Sequence, residues 1–375
     1  MKWGEKNMKN KKLEKELLAL ILTIVFCIIA VSIVLLILIN TFNEKKNNEA
    51  QIVEKAPIVL NYNASIFYGG KVDIDKNLIK GYTIDDEMDF YSLFSSIEPA
   101  ITNNDVSIFG FDDVVVEPYD GKGVPTALID DMGSIGFNMV AMLGSNTLSL
   151  GEEALSKSFD YWDQQTMYLS GGSREVEEST EIFTKNGINF GLLSYTMPSN
   201  LTELTIKSPS LLDIYNDQKA QDAVINLKSQ VDVVIVYMDW NDVETTEVTG
   251  DQKRVAKLLA DAGADIILGT NTESIQPVEW IDDTIVYYSL GNLITDDTSL
   301  NQSIGLVGSL FIQKTVVDGV VTIEKSQPKA DLIYITDSLV PRVMMFDELV
   351  DEIKNKDEVY NKYTTIITQL DDSIR

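Results

Sequence analysis

The chain runs to 375 residues, with 30 basic and 58 acidic side chains, one cysteine and no histidine. Its formal charge of −28 excludes a nucleic-acid binder held by phosphate contacts. The lack of histidine excludes a serine triad of the usual form and any metal site or proton shuttle built on imidazole.

Residues 1–16 carry Lys2, Lys6, Lys9, Lys11, Lys12 and Lys15 and form a basic tail. Leu17 to Ile39 then run 23 residues without a charge. At 1.5 Å per residue such a helix measures about 34 Å, enough to cross a bilayer core. Lysines on its N-terminal side put the N-terminus in the cytoplasm. A cleaved secretory signal is the alternative, but the apolar stretch exceeds a usual signal core and no small-x-small cleavage pattern follows. The sequence thus predicts a single-pass signal anchor over residues 17–39 in the cell membrane, with residues 1–16 cytoplasmic and the main domain extracellular. Cys27 lies inside the apolar stretch and reads as a small apolar membrane residue. The outer domain therefore has no disulfide of its own. Residues 40–56 read as a polar stalk. Residues 1–46 hold eight lysines and four glutamates, which leaves 22 basic and 54 acidic side chains after them, a net −32. That field suits solubility at a cell surface and repels an anionic polymer.

From Pro57 the chain reads as globular, with a domain over 57–340 and a C-terminal helical segment over 341–375. Apolar runs of strand length recur at Val114–Val116, Phe137–Leu143, Ile188–Leu193, Val231–Met238, Ile266–Leu268 and Ile285–Ser289. Apolar residues at three- and four-residue spacing predict helices over Glu152–Gln165, Gln218–Ser229 and Asp251–Ala262. Strands alternating with helices indicate α/β layers. Past Ser303 the pattern changes. Gly305–Val317 and Val320–Lys325 flank Asp318-Gly319, a hairpin turn, and Asp331–Thr336 adds a strand. The sheet is therefore expected to be mixed. Phe346–Leu370 reads as one or two helices.

Between Val231 and Asp296 stand VDVVIVYMDWNDVE, LLADAGADIILGTNTESIQPVEW and IVYYSLGNLITD. Their order and spacing resemble the CapA family of bacterial capsule (poly-gamma-glutamate) synthesis proteins, over roughly residues 57–300. The resemblance implies a calcineurin-like metallophosphatase fold, a layered α/β sandwich with mixed sheets, here preceded by one transmembrane helix. It also implies a metal site drawn from five strand ends. The family's H-W-G becomes Asp239-Trp240-Asn241 here, and its G-x-H-P-H becomes Gly269-Thr270-Asn271-Thr272-Glu273. Its N-L-E becomes Gly110-Phe111-Asp112. Its A-N-N-H segment aligns with FNMVAMLGSNTLSLG, which puts Ser145 at the ligand asparagine and Asn146 at the histidine. Its first strand ends in Gly-Asp, for which Ala64-Ser65 is taken. The implied positions are thus Ser65, Asp112, Ser145, Asn146, Asp239, Asn271 and Glu273, with every imidazole gone.

Hydroxyls and amides are poor ligands for zinc, iron or manganese. Asp112, Asp239 and Glu273 with amide oxygens suit a hard cation such as Ca²⁺ or Mg²⁺ instead. Asp239 and Glu273 are the only candidates by position for general acid–base work, and either needs a pKa raised by burial. The bland reading makes both solvated residues of a vestigial cleft. The resemblance implies a function in capsule biosynthesis or export, and the replaced histidines give it a non-catalytic role, with a polymer synthase or export machinery as partner, or the anionic polymer itself bridged through cations. A carboxylate- and hard-cation-dependent surface hydrolase of phosphoester or amide bonds is the first alternative. A surface-binding protein unrelated to capsule is the second.

Overall fold

In the computed structural model of the chain, the described residues are 2–49, 56–85, 87–144, 146–147, 150–174, 180–198, 211–240 and 244–374. They form two compact units, Met1–Ile58 and Val59–Arg375. The first is one helix, α1 (Lys2–Glu49). Its apolar residues are exposed on every side, from Leu17 through Phe26 to Ile39. Thr23 and Ser32 donate their hydroxyls to the carbonyls of Ala19 and Ile28, each at 2.8 Å, so these polar groups are satisfied within the helix. Among the described residues it is the one helix long and apolar enough to cross a membrane. It differs from the sequence reading at its C-terminal end. Residues 40–49, read as stalk, continue the helix, because no proline or glycine interrupts them.

The second unit is built on two mixed sheets. In chain order the strands of the larger sheet are β1 (Val59–Val72), β2 (Val106–Phe111), β3 (Met139–Met142) and β4 (Tyr168–Ser170). The smaller sheet takes β5 (Glu181–Lys185), β6 (Ile188–Thr196), β7 (Val233–Asp239), β8 (Ile266–Thr270), β9 (Val278–Ile281) and β10 (Thr284–Tyr287). The chain then returns to the larger sheet with β11 (Asn292–Ile294), β12 (Ile304–Val317), β13 (Val320–Ile335) and β14 (Val343–Met345). The larger sheet runs β14-β13-β12-β1-β2-β3-β4, with β11 also paired to β1, and the smaller runs β9-β10-β8-β7-β6-β5. The strands β1, β2, β3 and β4 are parallel neighbours, as are β6, β7, β8 and β10.

Two-residue alternation sorts the side chains. Val233, Ile235 and Tyr237 of β7 pack with Ile66, Tyr68, Val106 and Ile108 into one cluster shared by the sheets. Val234, Val236 and Met238 turn the other way, onto helices α4 (Asp217–Lys228) and α5 (Gly250–Ala262). Phe67, Phe109 and Val140 of the larger sheet pack outward with Leu128 of α2 (Thr126–Ser134) and with Leu155 and Phe159 of α3 (Glu152–Trp162). The unit is therefore a two-sheet sandwich with helices on both outer faces.

Three sequence expectations change. Val115–Val116 pairs only with Val124–Pro125, and the sheet strand of that stretch is β2. The two strands read at Val320–Lys325 and Asp331–Thr336 are one, β13, joined to β12 through Asp318 and Gly319 at φ +49° and +89°. The C-terminal segment contributes β14 to the sheet edge, and one helix, α6 (Lys356–Ile367), packs Tyr363 and Ile367 onto the shared cluster.

Close packing at the strand ends depends on glycine at Gly269. A Cβ there would lie 2.1 Å from both Trp240 Nε1 and Tyr288 O, atoms joined by a 2.7 Å hydrogen bond. Gly269→Ala is expected to cost roughly 3 kcal/mol by overpacking. Gly250→Ala, with open space around it at the start of α5, is expected to change stability by less than ~1 kcal/mol. Urea unfolding of the two variants tests this, and equal midpoints would contradict the packing described.

Candidate functional site

Parallel strands gather the residues at their C-terminal ends into one place. Asp112 follows β2, Asp239 closes β7, and Asn271 and Glu273 follow β8. In alternation Asp239 continues the series Val233, Ile235, Tyr237, so its carboxylate faces the other sheet and is fully buried. Its Oδ1 accepts from Asn271 Nδ2 at 2.7 Å and its Oδ2 from the Gly144 amide at 3.3 Å. Asp112 is buried and accepts from the backbone N–H of Asn146 at 2.7 Å. Asn271 and Glu273 hold left-handed backbone, at φ +67° and +52°, a conformation that asparagine tolerates better than most residues.

At the centre is a residue that the sequence reading missed. The Lys71 side chain is 4% exposed. Its Nζ donates to Asn271 Oδ1 at 2.9 Å and lies 3.5 Å from Glu273 Oε1 and 3.6 Å from Asp73 Oδ2. A bulge turns it inward. The pairing of β1 with β2 shifts register between Tyr68 and Lys71. Before the bulge Phe67 packs outward on the helices, and after it Val72 does, so the phase of the strand has reversed. The intervening residues are Gly69 and Gly70, and a Cβ on Gly70 would meet Gly291 O at 2.1 Å. Tyr237 donates its hydroxyl to Gly69 O at 2.9 Å, and the Lys71 amide donates to Gly291 O at 3.1 Å. Both ends of the bulge are thus pinned. A Gly-Gly-Lys run at the end of an apolar strand is the signal that was available.

The other expected positions fall as follows. Ser65 stands apart, and its assignment is corrected. Its N–H and Oγ bond to Asp105, which precedes β2, at 2.9 and 3.2 Å. That is the opposite end of the parallel strands from the site. The strand runs on for seven more residues, and its end falls at Gly69–Val72. Asn146 contributes its backbone amide, and its side chain is exposed. Ser145 and Asn241 lie outside the described residues. Trp240 belongs to the outer core, with its indole on Tyr288 O.

Burial, and then the like charge of Asp112, push the Asp239 carboxyl up to about 7 against the pull of Lys71. Burial also pushes Asp113 up to about 7, with Asp112 and Asp73 adding to the effect. For Lys71, burial favours the neutral amine, but Asp73, Asp112, Glu273 and Asp239 together outweigh it and hold the ammonium above its ordinary range. The metal implied by the resemblance does not fit this donor set. Among the described residues no group of three or more Asp, Glu, His or Cys side chains converges to hold an ion. An ion beside Asn271 and Glu273 would also meet a buried positive charge.

Asp239 carries a pH signature. Its folded value of about 7 lies above the ordinary value of about 3.9, so its contribution to stability is full below about pH 4 and lost as pH rises through about 7. Asp239→Asn has no such proton. Its stability relative to the wild type is expected to rise across that window, on the order of a few kcal/mol. The altered hydrogen bonding offsets the whole curve and leaves its slope alone. Denaturant unfolding as a function of pH measures this, and parallel curves would contradict a buried Asp239 carboxyl.

The comparisons with known proteins bear on what this site belongs to. The family described as bacterial capsule synthesis protein PGA_cap matches residues 65–297. The chain is 19% identical to the PGA biosynthesis protein CapA of Bacillus subtilis over 288 residues, which is 68% of this chain and 75% of that protein. It is 24% identical to the capsule biosynthesis protein CapA of Bacillus anthracis over 170 residues, 43% of this chain and 41% of that one. Among solved structures, a calcineurin-like phosphoesterase of Bacillus subtilis aligns with a TM-score of 0.47 at 10% identity, covering 82% of this chain and 97% of that one. A 5′-nucleotidase precursor of Thermus thermophilus aligns with a TM-score of 0.46 at 14% identity, covering 81% and 59%. With well over half of its length matched by that family, the chain belongs to the bacterial capsule synthesis proteins of the PGA_cap type.

Proposed function

We propose that this chain is a membrane-anchored, extracellular protein that serves the making or export of a capsule polymer of the poly-gamma-glutamate type, without catalysis of its own. The observation that carries the second half is Lys71. A protonated lysine sits among the carboxylates, where a metallohydrolase needs a metal-activated water. Access supports the same reading. A general acid must reach the atom it protonates, and Asp239 is fully buried with both oxygens hydrogen-bonded. The apolar exposed surface of α1 and the six lysines before Leu17 support the anchor and its orientation. The outer unit is too acidic to hold an anionic polymer directly. It would act through partner proteins of the polymer synthase or export machinery, or through bridging cations.

One observation favours a second reading. A carboxyl at about 7 is tuned for proton transfer near neutrality, as a surface hydrolase working through carboxylates would need. Glu273, at 13% side-chain exposure, is the more accessible partner for such chemistry. A strain lacking its own copy separates the two. General acid–base catalysis contributes roughly 10²–10⁴-fold, so Glu273→Gln in a hydrolase would abolish capsule. The non-catalytic role expects capsule within about twofold of the wild-type complement at equal protein level. Loss of capsule with the protein present at normal amount would sink it. Protease added to intact cells is expected to remove the unit from Pro57 onward and to spare the N-terminal lysines. Survival of that unit would reverse the orientation.

A further inference from the structure

Asp73 Oδ2 and Glu273 Oε1 lie 3.6 and 3.5 Å from the Lys71 ammonium, Asn271 accepts from it at 2.9 Å, and the charges of Asp112 and Asp239 also act on it. Oxygen donors of this kind are what Ca²⁺ or Mg²⁺ takes. Here the positive charge comes on a tether. Three features make its position deliberate in the fold. The bulge at Gly69-Gly70 reverses the phase of β1 so that Lys71, and not its neighbours, enters the space between the sheets. Tyr237 of the opposite sheet holds Gly69, and Gly291 holds the Lys71 amide. Asn271 then joins the ammonium to Asp239, accepting from one and donating to the other. A surface lysine drawn in by chance would have no such support.

We infer that Lys71 is a built-in counter-ion that replaces a metal: it holds the strand-end carboxylates together and keeps divalent cations out. Loss of the ammonium leaves buried carboxylates uncompensated and vacates the space that kept them from converging, and a hard divalent cation then becomes the ligand that draws them together. The inference shares with the proposed function the idea of a metal-free site. Its test reads ion binding and stability rather than capsule, so either can fail alone.

The experiment uses the full-length protein, purified in detergent. Elemental analysis of the wild type is expected to find no stoichiometric divalent ion. EDTA, or millimolar Mg²⁺, Ca²⁺ or Mn²⁺, is expected to move its Tm by less than ~1 °C. Lys71→Ala is expected to lower Tm by roughly 5–15 °C, since one partner of a buried ion cluster has been removed. Millimolar Ca²⁺ or Mg²⁺ is expected to recover at least half of that loss, while sodium chloride at equal ionic strength does not. Adding Glu273→Gln to Lys71→Ala removes the carboxylate nearest the lost ammonium and is expected to recover stability without any metal. Should Lys71→Ala fail to accumulate, Lys71→Gln keeps a hydrogen-bond donor for Asn271 and removes only the charge, with the same cation dependence expected. A stoichiometric ion in the wild type, a wild-type Tm lowered by EDTA, or variants indifferent to divalent cations would each overturn the inference.

Discussion

A protein interior tolerates clustered carboxylates only when something neutralises them. Moving such ions out of water costs several kcal/mol each even after relaxation, and mutual repulsion adds to it. In this chain the neutralising group is the Lys71 ammonium, and much of the sandwich's top edge follows from the need to place it. Its strand must break phase, so glycines stand where it breaks. The opposing sheet must reach across, so Tyr237 points its hydroxyl at Gly69 rather than at solvent. The loop after β10 must pass close to the bulge, and Gly291 takes φ +63° to do so while its carbonyl receives both the Lys71 amide and the Thr270 hydroxyl. Asp239 bears part of the remaining imbalance by holding its own proton near neutrality.

Two of the runs that carry the family resemblance, ADAGADIILG and YYSLGNL, serve the backbone in the same way. Gly263 ends α5 in the left-handed conformation at φ +109°. Asp265 is a structural carboxylate. It accepts from the Val234 amide and from the ammonium groups of Lys228 and Lys325, at 2.6–2.8 Å, and so ties α4, β7 and β13 together. Gly269 leaves room for the Trp240 indole on Tyr288 O. None of these roles involves an imidazole.

The same distinction governs what could be read in advance. The parallel strands at Val233–Asp239, Ile266–Thr270 and Thr284–Tyr287 were legible because buried strands write themselves as apolar runs. Asp239, Asn271 and Glu273 were legible as neighbours because each stands just where such a run stops. Ser65 was misplaced because β1 is 14 residues long and pairs with β12 from Val59 to Tyr68 and with β2 and β11 towards its end. An apolar alternation that long does not mark which residue is the last. Lys71 was invisible for a related reason. In a regular strand its parity would place it with Phe67, on the helix-covered face. A register shift is a property of two strands together and leaves only a weak trace, the Gly-Gly pair, in one.

The carboxyl of Asp239 shows why a perturbed pKa does not by itself decide between an enzyme and a relic. Burial and a like-charged neighbour raise it in either case. What separates the cases is where the proton can go. In an acid–base catalyst the carboxyl presents one oxygen to a cavity that substrate can enter. Here Oδ1 faces Asn271 and Oδ2 faces the Gly144 amide, and the residue has no exposed surface. Asn271 is in turn committed to Lys71, so turning it aside to open Asp239 would also free the ammonium from its shortest hydrogen bond. Asp239, Asn271 and Lys71 lock one another. A site locked in this way is suited to holding the ends of the two sheets in register.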